Sequence, residues 1–128
     1  MLCKKASNQL TLGELIDALK RCNQDASINF DFCMFVPAGL RSYRGYYEDL
    51  ALGFETGDRG YDMRKVGSLV GHLEDCMYAL FEGYKGGHYR ARRDTPMWVD
   101  NSGDASGTAI VGVKDFGHWV AIQTEAIE

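Results

Sequence analysis

Several stretches of the chain carry residue types and spacings from which chemistry could be built. SYRGYYEDLALGFE, Ser42 to Glu55, crowds Arg44 among Tyr43, Tyr46 and Tyr47. Rings that stack and a guanidinium that takes phosphate oxygens are the ingredients of an aromatic-lined anion site. The same residues would also serve as a covered sheet edge, with Arg44 paired to Glu48, and the residues alone leave the two readings even. GYKGGHYRARR is glycine-rich, aromatic and basic, with Lys85, Arg90, Arg92 and Arg93 ahead of the first acid, Asp94. Its glycines admit close approach of a ligand to backbone. Tyr84 or Tyr89 could stack on a base, and Arg90, Arg92 and Arg93 could clamp phosphate. The alternative, favoured by composition alone, is a solvated hairpin. In DTPMWVDNSGDASG, Trp98 reads as a core or interface residue. Asn101 could hydrogen-bond a base or ribose, although shaping its own turn is the commoner use of Asn there.

Catalytic and metal patterns are weaker. His72 and Cys76 lie four apart and share a helix face, but zinc takes three or four ligands, so no metal site is expected. There is no G-x-S-x-G elbow. GYKGG is not a phosphate loop, and DFG at Asp115–Gly117 lacks the other kinase motifs. Glu48 with Asp49, and Glu74 with Asp75, are sequence neighbours that point apart and form no acid/base dyad. Binding without a cofactor is therefore expected over turnover.

With 14 basic against 18 acidic residues, the net charge of −4 argues against a duplex-DNA partner, which calls for a broad basic surface. A small anion held by a few arginines fits the balance. Cys3, Cys22, Cys33 and Cys76 form no CxxC pair, and no apolar run reaches membrane length. Reduced thiols in a cytoplasmic protein are expected. The 128 residues suit one domain, 1–128.

The elements that must position these residues follow from periodicity. Thr11 and Glu14 make a capping box, and Leu12, Leu15, Ile16 and Leu19 one apolar stripe, so a short N-terminal helix begins there. Ile28, Phe30, Phe32 and Met34 alternate as a strand that Pro37 and Gly39 end. Leu50, Leu52 and Phe54 alternate as a second strand, expected to pair antiparallel with the first. Val66, Leu69, Val70, Leu73, Met77, Leu80 and Phe81 predict a long central helix from Asp62, its N-cap, to Phe81, ended by Gly83, Gly86 and Gly87. PMWV, TAIVGV and HWVAIQT read as three further strands, the last two joined by a turn at Lys114–Gly117. The class is α+β: an antiparallel sheet packed with two helices, one short and one long.

SYRGYYEDLALGFE, FEGYKGGHYRARRDTPMWVDNSG and TAIVGVKDFGHWVAIQTE, after the LTLGELIDAL helix, together resemble the first-described phage family of Thoeris anti-defence proteins. The resemblance spans Leu10 to Glu125. It implies a protein of the host-cell cytoplasm that is not an enzyme and that sequesters glycocyclic ADP-ribose signals intact, so that the Thoeris effector stays inactive. Some members also hold cyclic oligonucleotides at a separate site, in a hexamer built as a trimer of dimers, so a homo-oligomer is implied. By motif match, Tyr89 answers to the family's ligand-binding aromatic, Asn101 to its asparagine and Arg44, beside Tyr46, to a basic residue. Near the tail the family can present an Asp-Arg pair. Here the pair reads Asp115-Phe116, so one arginine is missing from the pattern: either Arg92 or Arg93 substitutes for it, or the ligand preference differs. The alternative to a sponge is an interaction protein that binds a host protein through Trp98, Tyr46 and Tyr47.

Overall fold

A computed structural model describes residues 8–31, 36–42, 49–55, 65–82, 87–99 and 107–127. The first helix, α1 (Leu12–Lys20), forms where the capping box puts it. The Thr11 hydroxyl accepts from the Glu14 amide, and the Glu14 carboxylate accepts from the Thr11 amide. Two of the otherwise orphaned amides of the first turn are thus satisfied.

Strands β1 (Ser27–Phe30), β2 (Val36–Ser42) and β3 (Leu50–Glu55) precede the second helix, α2 (Val66–Cys76). A ribbon of β4 (Leu80–Glu82) and β5 (His88–Arg90) follows, then β6 (Met97–Val99), β7 (Gly107–Asp115) and β8 (Trp119–Ile127). The main sheet has the order β1-β8-β7-β6-β3-β2. Its β2/β3, β6/β7 and β7/β8 pairs are antiparallel, while β1/β8 and β3/β6 are parallel. The α+β class holds, with a mixed sheet.

Both helices cover one face of this sheet. Leu12, Leu15, Ile16 and Leu19 of α1 and Val66, Leu69, Val70 and Leu73 of α2 meet Ile28, Phe30, Leu50, Leu52, Met97, Val99, Ile110, Val120 and Ile122. Burying each such side chain contributes about 1.5–3 kcal/mol. The alternation of strand side chains sends Ala51, Trp98 and Ala109 to the other face, where they form a second, smaller cluster.

Three expectations change. The expected strand is described only as β1, Ser27–Phe30, and Pro37 lies inside another strand, β2. It runs through Pro37 and Gly39 on the sheet edge with a register shift between them, where proline and a bulge are tolerated. β2, and not β1, is therefore the antiparallel partner of β3, and β1 pairs in parallel with β8. Residues 32–35, including Phe32 and Met34, lie outside the described residues.

The second helix is also shorter than its periodicity predicts, 11 residues against 9 in α1. Asp62, outside the described residues, is not its cap. Lys65 is, and the amides of Val66 and Gly67 donate to the carbonyls of Ala26 and Gln24 at 2.9 Å. At the other end Tyr78 adopts φ 63°, which stops the helix. The Tyr78 amide donates to the Ala91 carbonyl at 2.8 Å, and the Ala91 amide to that of Ala79 at 3.0 Å. Pairing with a distant segment thus displaces the next helical turn, and Leu80 and Phe81 join β4. Gly83 and Gly86, expected to end the helix, lie outside the described residues.

Candidate functional site

Asp49 closes the segment that joins β2 to β3, immediately before Leu50. It is 1% exposed. A carboxylate so deep needs hydrogen-bond partners. The Trp98 indole Nε1–H donates to its Oδ2 at 2.8 Å. The Tyr89 hydroxyl donates to its backbone carbonyl at 3.0 Å. Asp49 thus links both faces of the sheet: Trp98 sits with Ala51 and Ala109 on the face away from the helices, and Tyr89 belongs to the helix-side core. The parallel register Ala51↔Trp98 and the antiparallel register Trp98↔Ala109 fix the indole between two small neighbours. Three sequence blocks that could do chemistry meet here, 40 and 49 residues apart along the chain.

The segments around this hub are anchored at different ends of the sheet. The segment 43–48, holding Arg44 and Tyr46 (and Tyr43 and Tyr47), lies outside the described residues, between Ser42 and Asp49. Segment 100–106, holding Asn101, also lies outside them, between β6 and β7. Because β3 and β6 run parallel, the first enters the sheet where β3 begins and the second leaves where β6 ends. Arg92 stands at the entry end. Its amide donates to the Thr95 hydroxyl at 2.9 Å, and this turn leads into Pro96, whose carbonyl accepts from the Leu50 amide at 3.2 Å. The Arg92 side chain is exposed and its guanidinium has no partner among the described residues.

Other candidates sit elsewhere. Tyr89, expected to stack on a ligand, is a core residue: it is 5% exposed and its ring stacks on Phe81 at 6.0 Å between centroids. The alternation of the short β5 strand turns it inward while His88 and Arg90 face out. Trp98, at 1% exposure, offers no surface to a protein partner. Asp115 shapes the tip of the β7/β8 hairpin, where its Oδ1 accepts from the Gly117 amide at 2.8 Å. That tip is two strands away from β3. Beyond Asp115, Phe116 and Trp119 stack at 4.3 Å with an interplanar angle of 7°, and Lys114 Nζ lies 5.3 Å from the Phe116 ring centre. The other arginines of the basic block are engaged, Arg90 with the Tyr78 carbonyl at 2.9 Å and Arg93 with Asp17 at 2.6 Å. Tyr84 and Lys85 lie outside the described residues.

His72 Nε2 and Cys76 Sγ are 3.8 Å apart. Burial pushes the His72 pKa down, against Asp75. Burial, and then Asp75, push the Cys76 thiol up. Among the described residues no group of three or more His, Cys, Asp or Glu side chains could hold a metal ion, and no helix is long and apolar enough to cross a membrane.

The sequence marks Asp49 only weakly, since acids beside strands are common and its partners are remote. An acid directly before a run of buried residues was the one available signal. Compared with protein-family models, curated proteins and solved structures, the chain finds no match.

Proposed function

We propose that this protein is a sponge for a cyclised ADP-ribose signal, which it binds and holds without chemical change. The observation that best supports this reading is the Asp49 hub, where SYRGYYED, GGHYRARR and PMWVDN, the blocks on which the resemblance rests, are joined by buried hydrogen bonds. The hub fixes one end of the segment bearing Arg44 and Tyr46 to the strand that precedes Asn101. Arg44 and Arg92, at the end where β3 begins, then take the pyrophosphate, and Asn101, which follows the opposite end of β6, takes a base or ribose edge from a second copy of the chain. With Tyr89 in the core, Tyr46 is the aromatic that stacks.

Stacking contributes about 1–3 kcal/mol per base, and each hydrogen bond to a charged group about 1.5–3 kcal/mol. Nanomolar affinity requires about −12 kcal/mol after ordering costs. Four or five such contacts come to at most about 15 kcal/mol, and an ordering cost of about 4 kcal/mol or more leaves them short of nanomolar, so capture that tight calls for further contacts from a second copy of the chain in a homo-oligomer. The test is calorimetric titration with glycocyclic ADP-ribose. Asn101→Ala and Arg44→Ala are expected to weaken binding by about tenfold or more each without changing the melting temperature. Full affinity in both variants removes these segments from the site.

A second reading rests on the exposed Phe116–Trp119 stack, 43% and 38% exposed, which suits a protein partner. Retention of one host protein, lost in Trp119→Ala, with no nucleotide bound, would favour it.

A further inference from the structure

Between α1 and the end of α2 lies an open cleft of about 390 Å³, separate from the segments assigned above. This volume is at the low end of the range for sites that hold one small molecule. Ile16 and Met77 give it apolar surface, the Lys20–Glu74 ion pair joins the two helices at its rim, and Tyr78 and Arg93 complete it. Two features of the lining go beyond an ordinary groove between helices.

Tyr78 stands at φ 63°, a left-handed conformation that is unfavourable for a bulky side chain. It is held there from both sides, its amide donating to Ala91 and its carbonyl accepting from Arg90 Nη1. The residue is nonetheless 58% exposed, and its hydroxyl has no partner among the described residues. Glycine would occupy this position with less strain, so packing alone does not account for an aromatic ring there.

Arg93 lies across α1. A Cβ on Gly13 would come within 2.9 Å of the Arg93 Cβ and Nε, so glycine is what lets the side chain lie flat. Its Nη2 reaches Asp17, while Nε and Nη1 have no partner among the described residues. The guanidinium is oriented and retains free donors.

We propose that this cleft binds a planar aromatic monoanion. The ring lies against Tyr78 over Ile16 and Met77, and the anionic group takes the free donors of Arg93, with Lys20 alongside. Lys20 and Arg93 each already face one carboxylate, Glu74 and Asp17, so the cleft takes at most one further negative charge and not a pyrophosphate or a nucleic-acid strand. Both rim ion pairs are about half exposed and solvent-screened, so an incoming carboxylate shares their cations at little cost.

The test is a titration with indole-3-carboxylate, read by NMR at the amides of Tyr78, Ala79 and Arg93, beside indole as ring alone and acetate as charge alone. Saturable shifts at these amides are expected, with either control at least about tenfold weaker. Arg93→Gln and Tyr78→Gly should each weaken binding by about tenfold. Tyr78→Gly relieves the left-handed backbone, so a loss there cannot be ascribed to unfolding. Asn101→Ala should leave this titration unchanged, which separates the cleft from the sponge reading. No saturation at millimolar indole-3-carboxylate, shifts confined to other residues, or full binding in both cleft variants overturns the proposal.

Discussion

Replacing Asp49 with alanine removes the acceptor for the Trp98 indole N–H, in a residue that is itself 1% exposed. No water can substitute there without opening the structure. An orphaned buried donor costs about 1–3 kcal/mol, and truncating the buried Asp49 side chain also removes its packing, so the upper half of that range applies. We expect Asp49→Ala to destabilise the fold by about 2–3 kcal/mol, close to 10 °C in melting temperature for a domain of this size. Trp98→Phe should cost at least as much, because it removes one hydrogen-bond partner of the buried Asp49 side chain and leaves a gap beside Ala51 and Ala109. In Asp49→Ala/Trp98→Phe neither partner is left orphaned, so the double variant should be more stable than the sum of the single costs by about 1–2 kcal/mol. Urea denaturation of the four proteins measures this coupling. Additivity within about 0.5 kcal/mol would refute the hub as an energetic unit, and with it the argument that the hub fixes the neighbouring segments.

Further expectations follow from the same geometry. Tyr89→Phe, which deletes the hydroxyl bonded to the Asp49 carbonyl, should cost about 1 kcal/mol. Tyr89→Ala should cost about 3–5 kcal/mol as a core truncation, so its loss of ligand capture would accompany a fall in melting temperature. Gly13→Ala should displace Arg93 from Asp17 and weaken indole-3-carboxylate as much as Arg93→Gln does, and it should lower the melting temperature, because the new Cβ meets the Arg93 Cβ at 2.9 Å where the Gly13 amide is bonded to the Arg93 carbonyl. Burial lowers the His72 pKa, so the unfolded chain binds the proton more readily. Stability should fall as pH drops below about 6.5, and His72→Gln should flatten that slope in denaturation curves. Cys22 and Cys76 are both raised by burial, so their contribution is present below the unfolded thiol pKa and is lost as pH rises above about 9. Both thiols should alkylate slowly at pH 8.

What the sequence made legible was mostly local. The Thr11/Glu14 box and its apolar stripe placed α1, strict alternation placed β3, and two strand-like runs either side of the Lys114–Gly117 turn placed the β7/β8 hairpin. Two breaks in the pattern misled. Pro37 and Gly39 read as a strand end because their cost in a paired strand is real, but on an edge with a bulge that cost is small. Met77, Leu80 and Phe81 continue a helical period, yet the Tyr78 amide donates to the Ala91 carbonyl and the Ala91 amide to the Ala79 carbonyl, which takes the chain out of the helix. A partner 13 residues ahead of Tyr78 leaves no mark on local periodicity. The candidate site divides in the same way. The basic and aromatic blocks were visible, whereas the inward turn of Tyr89 depends on which face of a three-residue strand meets the core. The Asp49–Trp98 bond, spanning 49 residues, depends on β3 and β6 lying side by side.

The central claim is capture without turnover. The protein should be incubated with glycocyclic ADP-ribose, separated from free ligand and heated, and the released small molecules identified by mass spectrometry. The account predicts depletion of the free signal and its recovery, chemically unchanged, from the denatured protein in proportion to the sites present. Recovery of a hydrolysed or linearised product would make the protein an enzyme. No depletion at micromolar protein would show that this signal is not its ligand. Either result contradicts the account.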